Sequence, residues 1–208
     1  MGSPLMQGNA AMLGAQGVWR YFGDFPALRD ITFEIEPGAC VALLGHNGAG
    51  KTTLLKLLAR LAAPQKGSIT APPLTETGYL GHGLGLYEDL SALENLRFWG
   101  ELHGAPAEAS SQWLKRVELD HVATAPVRQF SRGMRQRVAL GRAFQHFPKL
   151  LVLDEPFTGL DERSVKLLQE VLREALERGS TIVLSSHQIP EVMALATRTL
   201  KLDRGRLV

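Results

Sequence analysis

The chain has 208 residues, enough to bury a proper core in one domain, or in one domain with a lobe grown out of it. Its 23 basic and 21 acidic residues leave a net charge of +2, too balanced to argue for a nucleic-acid surface. No apolar run approaches the roughly 18–20 residues needed to span a bilayer, and a single cysteine excludes an internal disulfide and fits a reducing compartment.

Residues 1–16 are small and apolar but lack the basic start and long hydrophobic stretch of a signal peptide. Position 6 is Met rather than Ser or Thr, so the myristoylation pattern fails as well. This segment is expected to be a flexible lead-in or a cloning remnant, with one domain over residues 17–208. Residues 18–21 and 31–35 read as short strands, the second alternating Ile31, Phe33 and Ile35 on one face. After the Pro37-Gly38 turn, residues 40–44 form a continuous apolar run, the mark of a strand buried on both sides of a parallel sheet. Cys40 lies inside this run and reads as a small buried hydrophobe rather than a reactive thiol. A glycine-rich stretch follows, then an apolar helix over residues 53–63 stopped by Pro64.

The middle of the chain, residues 84–147, reads as helical. Ser91 with Glu94 forms a capping box that opens a helix carrying Leu96, Phe98 and Trp99. Further helices are expected over residues 107–118 and 132–144. Residues 150–153 are a second buried strand, and residues 161–178 repeat Val165, Leu168, Leu172 and Leu176 on one face up to Gly179. Strands are expected at residues 181–184 and 199–203. Strand–helix alternation at both ends predicts an α/β sheet, with the helical middle as an inserted lobe.

Gly45, His46, Asn47, Gly48, Ala49, Gly50, Lys51 and Thr52 match the phosphate-loop pattern G-x-x-x-x-G-K-[ST], placed between a strand and a helix as the pattern requires. Its glycines let backbone N–H groups turn toward phosphate oxygens at a helix N-terminus, and Thr53 continues that first turn. Lys51 supplies a point charge for the β- and γ-phosphates of a nucleotide that the pattern does not specify, and the Thr52 hydroxyl is placed to ligate Mg²⁺. The competing reading is a plain glycine-rich connection. Asp154 and Glu155 end the strand at residues 150–153, where carboxylates face the phosphate site of an open α/β sheet. Asp154 then suits Mg²⁺, and Glu155 suits activation of the attacking water. The alternative is a pair of solvated loop acids.

Phe130-Ser131-Arg132-Gly133-Met134-Arg135-Gln136-Arg137 resembles the signature segment of ABC ATPases, LSGGQ followed by a basic residue, Gln and Arg. It precedes Asp154 by the family's usual interval. Thr158-Gly159-Leu160-Asp161 resembles the D-loop, Ser185-Ser186-His187 the switch-histidine segment, and Phe22 the aromatic that stacks on adenine. The resemblance runs over residues 18–208. It implies a phosphate-loop NTPase core sheet with an antiparallel β edge and an inserted helical lobe, and ATP hydrolysis as the activity. It further implies that two copies enclose two ATP, with Ser131, Gly133 and Asp161 reaching the nucleotide across the interface, while His187 senses the γ-phosphate. The partners implied are a second ATPase subunit and integral membrane subunits, at the cytoplasmic face of the membrane; no nucleic acid is expected.

Three positions depart from the family pattern. Arg132 stands in place of the first signature glycine and Met134 in place of its glutamine, which puts the finer sugar contacts in doubt but keeps Ser131 and Gly133. His82 stands where a glutamine usually touches Mg²⁺ or the lytic water. An imidazole titrates in the physiological range, so ATPase coupling is expected to weaken at acid pH; a loop histidine without function is the alternative. The Gly81-His82 pair and the run Ser91-Ala92-Leu93-Glu94-Asn95-Leu96 resemble the heme-exporter ATPases of cytochrome c maturation. Drug, lipid and polysaccharide exporters share much of this pattern. Leu84, Leu86, Tyr87 and Leu90 are either a groove for a membrane partner or lobe core. A soluble ABC ATPase acting on DNA or ribosomes fits less well, since no coiled coil separates Lys51 from Ser131. A nucleotide kinase leaves the signature unexplained.

Overall fold

The structure is a computed structural model that describes residues 13–186 and 192–208. Among the described residues the strands form two sheets. Strands β1 (Leu13–Phe22), β2 (Phe25–Ile35) and β4 (Lys66–Thr70) form an antiparallel sheet in the order β2-β1-β4. Strands β3 (Cys40–Leu44), β5 (Thr77–Leu80), β6 (Leu150–Asp154), β7 (Thr181–Ser185), β8 (Arg198–Asp203) and β9 (Arg206–Leu207) form the second, ordered β5-β6-β7-β3-β8-β9. Its pairs are parallel except β8 with β9. This is the α/β core that strand–helix alternation predicts, with the antiparallel part that the family resemblance implies.

The apolar runs of the parallel strands divide by parity. Cys40, Ala42, Leu151, Leu153, Ile182 and Leu184 face one core. Val41, Leu43, Leu150, Val152 and Val183 face the other. Successive strand side chains point to opposite faces, so a strand covered on both sides must be apolar throughout. The first core is closed by the lobe helices α2 (Ala92–His103), α3 (Ala109–Arg116) and α4 (Arg132–Phe144), and by α5 (Glu162–Glu177). The second lies between the parallel sheet, α1 (Lys51–Leu58) and the antiparallel sheet.

Several boundaries differ from expectation. Strand β1 begins at Leu13, inside the segment read as a lead-in, because Leu13, Gly14 and Ala15 pair with Ile35, Glu34 and Phe33. Helix α1 spans Lys51–Leu58, starting earlier and ending earlier than residues 53–63. Strands β4 and β9 have no apolar pattern of their own and exist through pairing to β1 and β8. The buried Asn95 donates through Nδ2 to Tyr87 O, Leu90 O and Ser91 O, and accepts from Tyr87 N at 2.8 Å, which fixes the loop entering α2. The Ser91–Glu94 capping box is present. Among the described residues no helix is long and apolar enough to cross a membrane.

Candidate functional site

The loop between β3 and α1 holds the first half of the site. Gly50 caps α1 at φ 109°, and a Cβ there would stand 2.7 Å from Ala27 O, so only glycine fits. No side chain caps this helix, which leaves its first N–H groups aimed into the loop. Lys51 is buried, and its Nζ donates to Gly45 O at 2.8 Å and His46 O at 3.3 Å. The ammonium is thus held at the centre of the loop by two carbonyls. His46 is tied outward, with Nε2 3.0 Å from Asp203 Oδ1.

The end of β6 supplies the second half. Asp154 is buried; its Oδ2 accepts from Thr52 Oγ1 at 2.7 Å and lies 3.1 Å from His82 Nδ1. Its Oδ1 accepts from Ser185 Oγ at 2.6 Å. Three elements therefore converge on one carboxylate: α1 through Thr52, the segment after β5 through His82, and β7 through Ser185. Glu155 turns sharply out of the strand at φ 54°, and its N–H donates to Ser185 O and Ser185 Oγ, both at 3.1 Å. A non-glycine residue in that conformation is uncommon, and it separates the directions of two adjacent carboxylates. Behind them, burial first and the Asp154 charge second push the Tyr79 hydroxyl above its ordinary pKa. Burial alone pushes the Cys40 thiol up to about 12, which makes it an inert core group.

A cavity of about 520 Å³ connects these parts. Of the residues expected from sequence, Phe22, His46, Asn47, Gly48, Gly50, Lys51, Thr52, Thr53, His82, Asp154 and Glu155 line it. Gly45 and Ala49 do not line it: Gly45 packs against Leu202 O and Ala49, and Ala49 is buried. Ser131, Gly133 and Asp161 do not line the cavity. The Ser131 hydroxyl accepts from Met134 N and caps α4, and Asp161 caps α5 by accepting from Ser164 N. His187 lies outside the described residues. Phe25, Arg132, Gln136 and Thr158 also line the cavity, and sequence reasoning assigned none of them to it. Phe25 is the cross-strand partner of Phe22 across a tight hairpin, a pairing the flanking aromatics around Gly23-Asp24 could have indicated. Ser185 was read only as part of a motif, and its grip on Asp154 required the β6–β7 register.

A glycine-rich loop with a central lysine, opposite a strand ending in two acids, defines a phosphate-loop nucleotide hydrolase. The family profile for ABC transporters matches residues 28–158. The chain belongs to that family, as an ATP-binding domain with ATPase activity. It is 36% identical to an uncharacterized ABC transporter ATP-binding protein of Methanocaldococcus jannaschii, over 93% of this chain and 74% of that one. It is 32% identical to a linearmycin resistance ATP-binding protein of Bacillus subtilis, over 95% and 68%. It is 38% identical to a cytochrome c biogenesis ATP-binding export protein of Cupriavidus metallidurans, over 86% and 90%. A solved dimeric ATP-binding cassette bound to ADP and phosphate superposes with a TM-score of 0.83 at 25% identity, covering 94% of this chain and 96% of that one.

Proposed function

We propose that two copies of this chain close around two ATP molecules and that hydrolysis drives attached membrane subunits at the cytoplasmic face. The observation that carries this reading is the division of the site. Lys51, Thr52, Asp154 and Glu155 share one cavity, whereas the signature residues Ser131 and Gly133 lie outside it. A Cβ on Gly133 would meet nothing within 4 Å, so nothing in its own chain requires glycine in this first helical turn. Close approach by a nucleotide held on a second copy supplies the reason. In the proposed assembly Asp161 stands at the same face, and Phe22 with Phe25 receives the adenine ring. His187 is assigned the γ-phosphate contact by sequence alone.

The donor set fits Mg²⁺. Thr52 and Asp154 bring hard oxygen atoms together, and among the described residues no cluster of three His, Cys, Asp or Glu side chains holds a metal by itself. That suits an ion bound by one or two protein oxygens, substrate phosphates and water. When bound, the ion neutralises charge on the phosphate oxygens. His82 contributes by orienting Asp154, since an imidazole nitrogen is a poor donor for so hard a cation. Glu155 takes the proton of the attacking water. Replacing His82 with Ala should slow ATP turnover by loosening Asp154; an unchanged rate removes His82 from the reading.

For the transported molecule, heme export in cytochrome c maturation is favoured by the Gly81-His82 and Ser91–Leu96 patterns and by the cytochrome c biogenesis relative. Drug or lipid export is the second reading, favoured by the linearmycin resistance relative. Tyr87, Phe98 and Leu102 leave an apolar face of the lobe exposed and are the proposed contact with the membrane subunits, whereas Leu84 and Leu86 pack partly into the core. Purification of the tagged chain from membranes, with identification of the bound permease, decides between them.

A further inference from the structure

We infer that Arg132 serves the nucleotide of its own chain, closing the γ-phosphate end of the cavity and discriminating ATP from ADP before two copies associate. The inference rests on the nucleotide site proposed above and adds a residue to it. Arg132 is the first residue of α4, where a cation faces the positive end of the helix and gains nothing from it. It takes part in none of the ion pairs among the described residues. Its guanidinium instead reaches across to the loop after β6. A Cβ on Gly159, which has φ +77°, would stand 3.4 Å from Arg132 Cζ and Nε, so the guanidinium lies against that glycine.

A series of contacts connects it to the rest of the site. The β1–β2 hairpin carries Phe22 and Phe25, and Ala27 of β2 touches Gly50 of the phosphate loop. Thr52 bonds to Asp154, Glu155 follows, and Thr158 and Gly159 lead to Arg132. The aromatic hairpin thus joins the site through Gly50 of the phosphate loop and Arg132 joins it through the loop after β6, and all line one cavity. An adenine placed between Phe22 and Phe25, with its phosphates over Lys51, extends its last phosphate toward Arg132. Two loop carbonyls take two of the three Lys51 N–H groups, and Arg132 brings a second cation to the same cavity. A guanidinium pairs with two phosphate oxygens at once, and ADP offers none in this position.

The test is calorimetric titration of the full chain, at a concentration where gel filtration shows single copies, with ADP and with an ATP analogue of non-hydrolysable β–γ bridge. Arg132→Gly and Arg132→Gln should weaken the analogue roughly 10-fold or more, the scale of a lost charged hydrogen bond, and ADP less than about 2-fold. Arg132→Lys should recover part of the loss. Equal losses for both nucleotides, or none, overturn the inference. A loss that appears only at concentrations where two copies associate also overturns it, since Arg132 then acts on the partner's nucleotide. If the unsubstituted chain binds neither nucleotide, the parent reading itself fails.

Discussion

Asp154 cannot be understood from its own side chain, because its two oxygens are divided among Thr52, His82 and Ser185. Such a carboxylate is oriented before any ligand arrives, and neighbouring Glu155 is turned away from it by its left-handed backbone. This division of labour gives distinct outcomes for two substitutions. Lys51→Ala removes the charge at the loop centre and should abolish ATP binding in a calorimetric titration. Glu155→Gln keeps the shape and loses the proposed base; it should bind ATP yet hydrolyse it about 10²–10⁴-fold more slowly in single-turnover assays. The same variant should accumulate as a nucleotide-bound dimer on gel filtration.

Among the elements, the lobe helices are joined by polar groups as well as by apolar packing. Gln145 follows α4 and is fully buried; its Nε2 donates to Leu96 O of α2, and its Oε1 accepts from Ser110 of α3. Beside it the His103 and His146 rings stack with centroids 4.5 Å apart. Burial first, and then the nearby His103, push His146 down from its ordinary 6.5 to about 4. Burial and Arg142 lower His103 in the same direction. The folded chain holds His146 neutral where the unfolded chain protonates it. Its stabilisation is therefore complete above pH 6.5 and is lost as pH falls toward about 4. Urea midpoints measured across this window should fall with pH, and His146→Phe should reduce the slope. Asn95→Ala leaves the Tyr87–Ser91 loop carbonyls short of a donor, and should cost on the order of 1–3 kcal/mol in the same denaturation experiment.

At the scale of the molecule, the lobe is bound to the core by the bidentate Arg116–Glu174 pair between α3 and α5 and by the shared core beneath it. That attachment holds Ser131 and Gly133 on the lobe, outside the cavity that contains Lys51 and Asp154. If each catalytic pocket needs both, ATP turnover should rise more steeply than in proportion to protein at dilution, and Ser131→Arg should remove most of it. Turnover strictly proportional to enzyme at every dilution, or an Ser131→Arg variant of normal rate, would show a site complete in one chain.

The sequence alone determined the features that depend on local spacing. The phosphate loop, the paired acids after an apolar strand, the Ser91–Glu94 cap and the α4 boundaries are each set within a few residues, by helix periodicity, caps and strand parity. Only the tertiary structure decided what depends on register and side-chain reach. It drew Leu13–Ala15 into β1, made strands of β4 and β9 through their partners, and set Ser185 on Asp154. It also carried Arg132 from the signature segment to the cavity of its own chain. Such contacts join residues far apart in the chain, and the energy that selects them comes from burial and pairing, which no local pattern records.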